Sequence, residues 1–456
     1  MKPLLAILKC VPRKWRSEVE SAVSSPERQR LMRDFFWVLA GQAGVALVGF
    51  VGVRVLTELA PEDVFGEANL LLTGLMLGRH VFVSPILNSQ PRHHPDYVLS
   101  GTANWYTSEI VRLVRWASLY CGLACCAAFV VWSQIEGRFR WMLLGTMLLI
   151  LALETNKNVR QNRLNAERKQ ARFAAWAVTE ECAKIMCSAG LLYYWKSAGS
   201  LLSGQALGTA LVLFLLGHLF WPKWPPDTAI PGPNARGEMI AKTLHYGLPF
   251  VSVAILAWAQ AQSDKYVLGL LSGKAEVGLY AAAAGIASRP MVMAAGVLST
   301  FMRPVLFTAA SAGDAQRERR VFRVWLLAGA VVGVLGGLIF WLGGEWVASI
   351  ALAKNYRVGA AAVIFWVALG FAMMPVTSAL EVKLMASGRT RSLIYTQSLS
   401  LAAGLLAMFL LVPGVGALGA AKARVAVCTT QLLATWFMWL LAKRQVDASK
   451  KNQATA

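Results

Sequence analysis

Charge is scarce in this chain, and acidic charge is scarcest. Only 15% of the 456 residues are charged while 56% are hydrophobic, and the mean hydropathy is +0.50, which excludes a soluble globular chain. The 24 Asp and Glu are outnumbered by 45 Lys and Arg, giving a net charge of +21. An excess of that size suggests nucleic acid, but these cations sit in connectors between apolar runs and gather on one side of a membrane. They read as an anchor on anionic membrane lipids, with no nucleic-acid partner. No signal peptide is expected either: Leu4 to Leu8 is too short for the hydrophobic part, and Cys10 follows Lys9 rather than a cleavage site. None of the seven cysteines shows metal-ligand spacing, and Cys121, Cys125, Cys126, Cys182, Cys187 and Cys428 lie in apolar runs as small core residues. His93 and His94 lack a third ligand nearby and read as solvated loop residues, not a metal site. No cofactor and no catalytic constellation is expected.

What is present is a succession of apolar runs of membrane-crossing length. A bilayer core of about 30 Å needs roughly 20 residues at 1.5 Å each. Twelve spans fit, at 35–56, 64–87, 111–133, 139–157, 173–194, 200–221, 244–270, 277–303, 321–342, 358–384, 392–412 and 416–441. The fold class is therefore an all-α polytopic membrane protein. Basic residues cluster at Lys157 to Arg172, Arg317 to Arg323 and Lys443 to Lys451, whereas opposite connectors carry few, such as Lys196 and Lys274. That asymmetry predicts both termini in the cytoplasm. The expected organisation is a basic segment (1–32), a six-helix bundle (33–221), a Pro/Gly-rich linker (222–242), a second six-helix bundle (243–442) and a basic tail (443–456).

The halves look related. A shift of 212 residues places Leu56 on Leu268, Leu59 on Leu271 and Gly66 on Gly278, with Arg54 one position from Lys265 and Arg79 two from Arg289. An even number of spans per half makes this a parallel repeat about an axis along the membrane normal, with a cavity expected between the halves.

The functional question starts with charges inside the spans. An arginine at mid-membrane costs several kcal/mol unless it faces water, a partner or a ligand. Arg79 and Arg289 have no acid at i±3 or i±4, so neither is neutralised on its own helix. They are read as lining a cationic cavity, against the plainer alternative of a carboxylate on a neighbouring helix. Arg54, Lys422 and Arg424 lie near predicted outer ends, where snorkelling is the default and a cavity rim the alternative. Arg303, before Pro304, is equally open. Lys184 has Glu180 and Glu181 one turn away and reads as internally neutralised. Asp264, beside Lys265, is the best single carboxylate for ion coupling, although a structural bond to a neighbouring helix explains it more simply. Pro249, Pro290, Pro304 and Pro375 are candidate kinks.

The stretch Arg54-Val-Leu-Thr-Glu-Leu-Ala-Pro-Glu-Asp-Val-Phe-Gly66 resembles the first-hairpin signature of Wzx-type polysaccharide flippases, the polysaccharide transport branch of the MOP superfamily. So do Tyr246-Gly-Leu-Pro249, Ser263-Asp-Lys-Tyr-Val-Leu-Gly269 and Glu276-Val-Gly-Leu-Tyr280. The resemblance implies a MATE/MOP-like pair of bundles in a bacterial inner membrane. It implies flipping of an undecaprenyl-pyrophosphate-linked oligosaccharide for O-antigen or exopolysaccharide synthesis, alongside a polysaccharide polymerase and export machinery. In that setting Arg79, Arg289, Lys265, Arg54 and Arg303 are the candidate cationic cavity, and Asp264 the candidate coupling residue. A MATE-like exporter of cationic drugs would instead need acids in the cavity. A membrane-embedded glycosyltransferase or polymerase, the enzymatic alternative, is disfavoured by the short outer loops.

Overall fold

A computed structural model describes residues 26–137, 140–215, 226–229, 232, 234–387, 389 and 391–455. The described residues form helices and no strand, as expected where lipid leaves no water to satisfy backbone groups. The first half holds α1 (Pro26–Leu59), α2 (Glu62–Phe82), α3 (Ser84–Leu99), α4 (Ala103–Glu136), α5 (Trp141–Ala166), α6 (Gln170–Tyr194) and α7 (Ala198–Ala210), which a π-turn extends over Leu211–Leu215. The second holds α8 (Ala235–Gly247), α9 (Pro249–Ser272), α10 (Lys274–Ser311), α11 (Ala315–Ala351), α12 (Ala360–Ala372), α13 (Met374–Ala386) and α14 (Arg391–Thr455). Six stretches are each long and apolar enough to cross a membrane, and two bent pairs qualify as single spans. The chain is a polytopic membrane protein.

The helices are amphipathic in the sense that lipid requires. Along α11 the buried face repeats small residues at Gly329, Gly333, Gly336, Gly344 and Ala348, while Val334, Leu338, Ile339 and Leu342 are exposed on the other face. Glycine is needed at Gly333 because a Cβ there would strike the Ala372 carbonyl at the α12–α13 break. Helix breaks fall where proline removes a donor. The α8–α9 pair bends by 42° before Pro249, and the α12–α13 break precedes Pro375, both as anticipated. Helix α10 instead runs unbroken through Pro290 and Pro304. The α2–α3 pair bends by 60°, with Pro85 in the first turn of α3, and α14 breaks at Val415 and Gly416 (φ 54°).

Three expectations are corrected. Helix α5 extends beyond the predicted span end, so Lys157 is not a solvated loop cation: it is 8% exposed and bonded to two glutamates. His94 is 1% exposed with Nε2 3.3 Å from Glu167, and the His93 ring meets Tyr246 edge-on at 5.6 Å. Neither histidine is a loose loop residue. The linker is structured where described: Asp227 accepts from the Asn104 and Trp105 amides at 2.8 and 2.7 Å, capping α4, and residues from Ala235 onward are already helix α8.

The halves meet through their equivalent hairpins. Helices α2 and α10 cross at Gly66 and Gly278, each glycine seated on the other helix's backbone. Near this crossing Tyr356 Oη donates to the Ala60 carbonyl (2.9 Å), the Ala353 amide to Thr57 (3.3 Å), and Arg54 to the Leu352 carbonyl. Glu67 draws in Arg140 at 2.8 Å and Lys274 at 3.4 Å. The end of the bundle carrying the α1–α2 and α9–α10 connectors is thus closed. At the opposite end α3 and α8 are also in close contact, where Gly247 packs on the Pro85 backbone.

Candidate substrate cleft

The α1–α10 seam opens where the others close. The two helices run antiparallel: Val53 lies beside Gly285, and one turn on, Gly49 underlies the Arg289 guanidinium. Beyond that point they part. A cavity of about 520 Å³ follows, lined on one side by Val38, Leu39, Gln42, Val45 and Ala46 of α1. Ser288, Arg289, Val292, Met293, Gly296, Val297 and Thr300 of α10 line the other, with Glu181 of α6 between. The lining keeps the register set by the Val53 and Gly49 contacts, so this is one seam splayed open at the end where α1 begins.

Arg289 stands at the inner limit of the cleft. Its Nη1 is buried and has no hydrogen-bond partner among the described residues. A buried guanidinium donor without an acceptor is costly, so this position calls for an anion. Glycine at 49 makes the placement possible, since a Cβ there would overlap the guanidinium. The cleft's carboxylate is Glu181, which lines the same cavity as Arg289.

The other charged positions singled out from sequence are distributed differently. Arg79 does not line this cleft. It pairs with Glu154 of α5 at 3.1 Å, inside the first bundle. Glu154 also binds Lys157 (3.0 Å) and Lys184 (2.6 Å), and both lysines bind Glu180 (2.9 and 2.8 Å). The sequence pairing of Lys184 with Glu180 stands, but the second acid is Glu154, and Glu181 turns away into the cleft. Sequence spacing could not reveal Glu154, since it meets Arg79 only through packing of α5 on α2.

A second network sits in the other bundle. Arg424 does not snorkel: it is 5% exposed, donates to the Gln260 and Ala261 carbonyls (2.8 and 3.0 Å), and is paired with Asp264. Tyr280 donates to the same carboxylate, which is 1% exposed. The partner that neutralises Asp264 is thus an arginine on α14, the structural alternative to ion coupling. Arg54 holds the Leu352 carbonyl and Glu58 (3.1 Å), Lys265 is half-buried next to Asp264, and Arg303 is exposed beyond the cleft lining. Of the five proposed cavity cations, the structure brings Arg289 to the cleft.

The fold resembles an inward-facing multidrug resistance MATE family transporter of the MOP superfamily, with TM-score 0.72, 12% identity, and 89% of this chain and 95% of that one covered. It also resembles the lipid II flippase MurJ in an inward closed conformation, with TM-score 0.65, 11% identity, and 87% and 86% covered. A MOP superfamily transporter from Pyrococcus furiosus, described as having a binding pocket of reverse polarity, gives TM-score 0.60 at 12% identity, covering 94% and 97%. No curated protein sequence matches the chain. The match that assigns a family is to the sequence itself, over residues 31–310, and by it this protein belongs to the polysaccharide biosynthesis protein family.

Proposed function

We propose that this protein flips an undecaprenyl-pyrophosphate-linked oligosaccharide across the bacterial inner membrane by alternating access, supplying surface or extracellular polysaccharide synthesis. The observation that carries the reading is Arg289, a half-buried cation whose buried Nη1 has no partner among the described residues, at the inner limit of a cleft lined by both halves. Family membership supplies the polysaccharide context. The cleft opens at the end where α1 begins, the end that the charge asymmetry of the sequence predicts to be cytoplasmic. The pyrophosphate docks on Arg289, the glycan occupies the cleft, and the polyprenyl tail stays in lipid between α1 and α10. The halves then part at Gly66 and Gly278 to release the head group outward.

The energetics suit an anion leaving a negative interior. Each charge gains about 2.3 kcal/mol per 100 mV, so a pyrophosphate with roughly two charges gains about twice that. Export then needs no protonatable coupling acid, in keeping with Asp264 being held by Arg424.

Leaflet-specific labelling of lipid-linked oligosaccharide in a deletion strain tests this. The deletion should accumulate the intermediate facing the cytoplasm, and wild type should clear it. Arg289→Gln should be expressed yet fail to clear it. An intermediate that never accumulates, or that already faces outward, would remove the flippase reading.

A further inference from the structure

The cleft holds an acid as well as a cation, and they belong to different halves. Glu181 stands on α6 of the first half and Arg289 on α10 of the second, and both line the same cavity. The neighbouring Glu180 is engaged by Lys157 and Lys184. Glu181 is not: among the described residues no hydrogen bond or ion pair holds its carboxylate. It is firmly positioned all the same, because α6 is seated on glycines of α1. Ala174 packs against Gly41 and Val178 against Gly44, one turn before Glu181. Arg289 is placed in the same way by Gly49. Two rigidly carried, opposite charges thus face a common gap, and Arg289 Nη1 lacks an acceptor.

We infer that Glu181 is the resident counter-charge of Arg289, pairing with it across the cleft when no anion is bound and being displaced when a phosphate-bearing substrate arrives. This rests on reading the cleft as a pyrophosphate site. Closing the cleft dehydrates the guanidinium, and a dehydrated guanidinium without an anion is strongly disfavoured. A bound pyrophosphate supplies that anion in the loaded carrier. Glu181 supplies it in the empty one, so the halves can come together and the empty carrier can return. Because the two charges ride on different halves, their pair forms only as the cleft narrows. Glu181 accordingly governs the return of the empty carrier and lowers affinity for the anion it competes with.

The test uses the full-length protein in nanodiscs, with inorganic pyrophosphate as the probe and spin labels at Val38 and Thr300 introduced through non-natural amino acids. Binding is followed by calorimetry and cleft width by the label distance. Wild type without anion should show a narrow-cleft population. Glu181→Gln should lose it, regain it on adding pyrophosphate, and bind the probe on the order of tenfold more tightly. Tighter binding alone would follow from removing any nearby negative charge, so the distance is the deciding readout. Glu181→Asp should restore part of the narrow population. The exchange of Glu181→Arg with Arg289→Glu should narrow without anion yet not bind pyrophosphate. That pair of variants serves equally if Glu181→Gln fails to fold. If Arg289→Gln abolishes probe binding while Glu181→Gln keeps the wild-type distances, the counter-charge is wrong and the phosphate site survives. If probe binding in wild type does not depend on Arg289, the phosphate site itself is wrong, and the counter-charge falls with it.

Discussion

Gly66 and Gly278 occupy each other's helix backbone. A Cβ on Gly66 would overlap the Lys274 carbonyl, and one on Gly278 would overlap the Glu62 carbonyl; in each case that carbonyl lies four residues before the opposing glycine. The contact therefore maps onto itself when the halves are exchanged, as a two-fold axis through the crossing requires. Residues that the 212-residue shift makes equivalent are here in direct contact.

Gly66→Leu should force this crossing apart. Overpacking at a backbone-to-backbone contact costs about 1–3 kcal/mol. The expected result is a lower melting temperature in detergent, with Tyr356 becoming reachable by water-soluble reagents as its bond to Ala60 is lost. An unchanged melting curve would show that the halves do not depend on this crossing.

The five-charge network of the first bundle predicts an asymmetry. Among the described residues Arg79, Lys157 and Lys184 pair with Glu154 and Glu180, three cations on two acids, so the cluster carries one cation in excess. Arg79→Gln removes the excess and should be tolerated, with stability changed by less than about 1 kcal/mol and transport retained. Glu154→Gln leaves three cations on one acid and should cost about 3–5 kcal/mol. Thermal unfolding of both variants decides it, and equal destabilisation would mean that Arg79 has a role beyond the network.

Asp264 and Arg424 should behave as a unit. Asp264→Asn alone strands a buried guanidinium and should destabilise by about 3–5 kcal/mol. Adding Arg424→Met should recover more than half of that loss, giving a large coupling energy in a double-mutant cycle. Additive losses would instead favour independent roles, including ion coupling through Asp264.

Gly49→Ala is the sharpest probe of the cleft. The obstructing group is the far end of the Arg289 side chain, which can swing aside, so stability should stay within about 0.5 kcal/mol of wild type. Transport should nevertheless fall several-fold, because the guanidinium no longer sits at the inner limit of the cleft. Wild-type transport from this variant would show that the placement of Arg289 is not limiting.

Much of this protein was settled before any helix was packed. The bilayer imposes a one-dimensional rule, length and apolarity, and that rule alone yields an all-helical polytopic chain; of the four prolines read as kinks, Pro249 and Pro375 stand at breaks while Pro290 and Pro304 lie inside an unbroken helix. Internal similarity likewise marked Gly66 and Gly278 as counterparts. Sequence could also list every charge held inside the spans, since each is an exception to the same rule. It could not say what each charge faces. Arg79 and Arg289 look alike from sequence, unpaired on their own helices and nearly equivalent in the repeat. The packing of α5 on α2 brings Glu154, 75 residues along the chain, against Arg79, while the parting of α1 from α10 leaves Arg289 over a cleft. Periodicity gives the face of a helix on which a charge stands, but which helix lies opposite that face is decided only by tertiary structure.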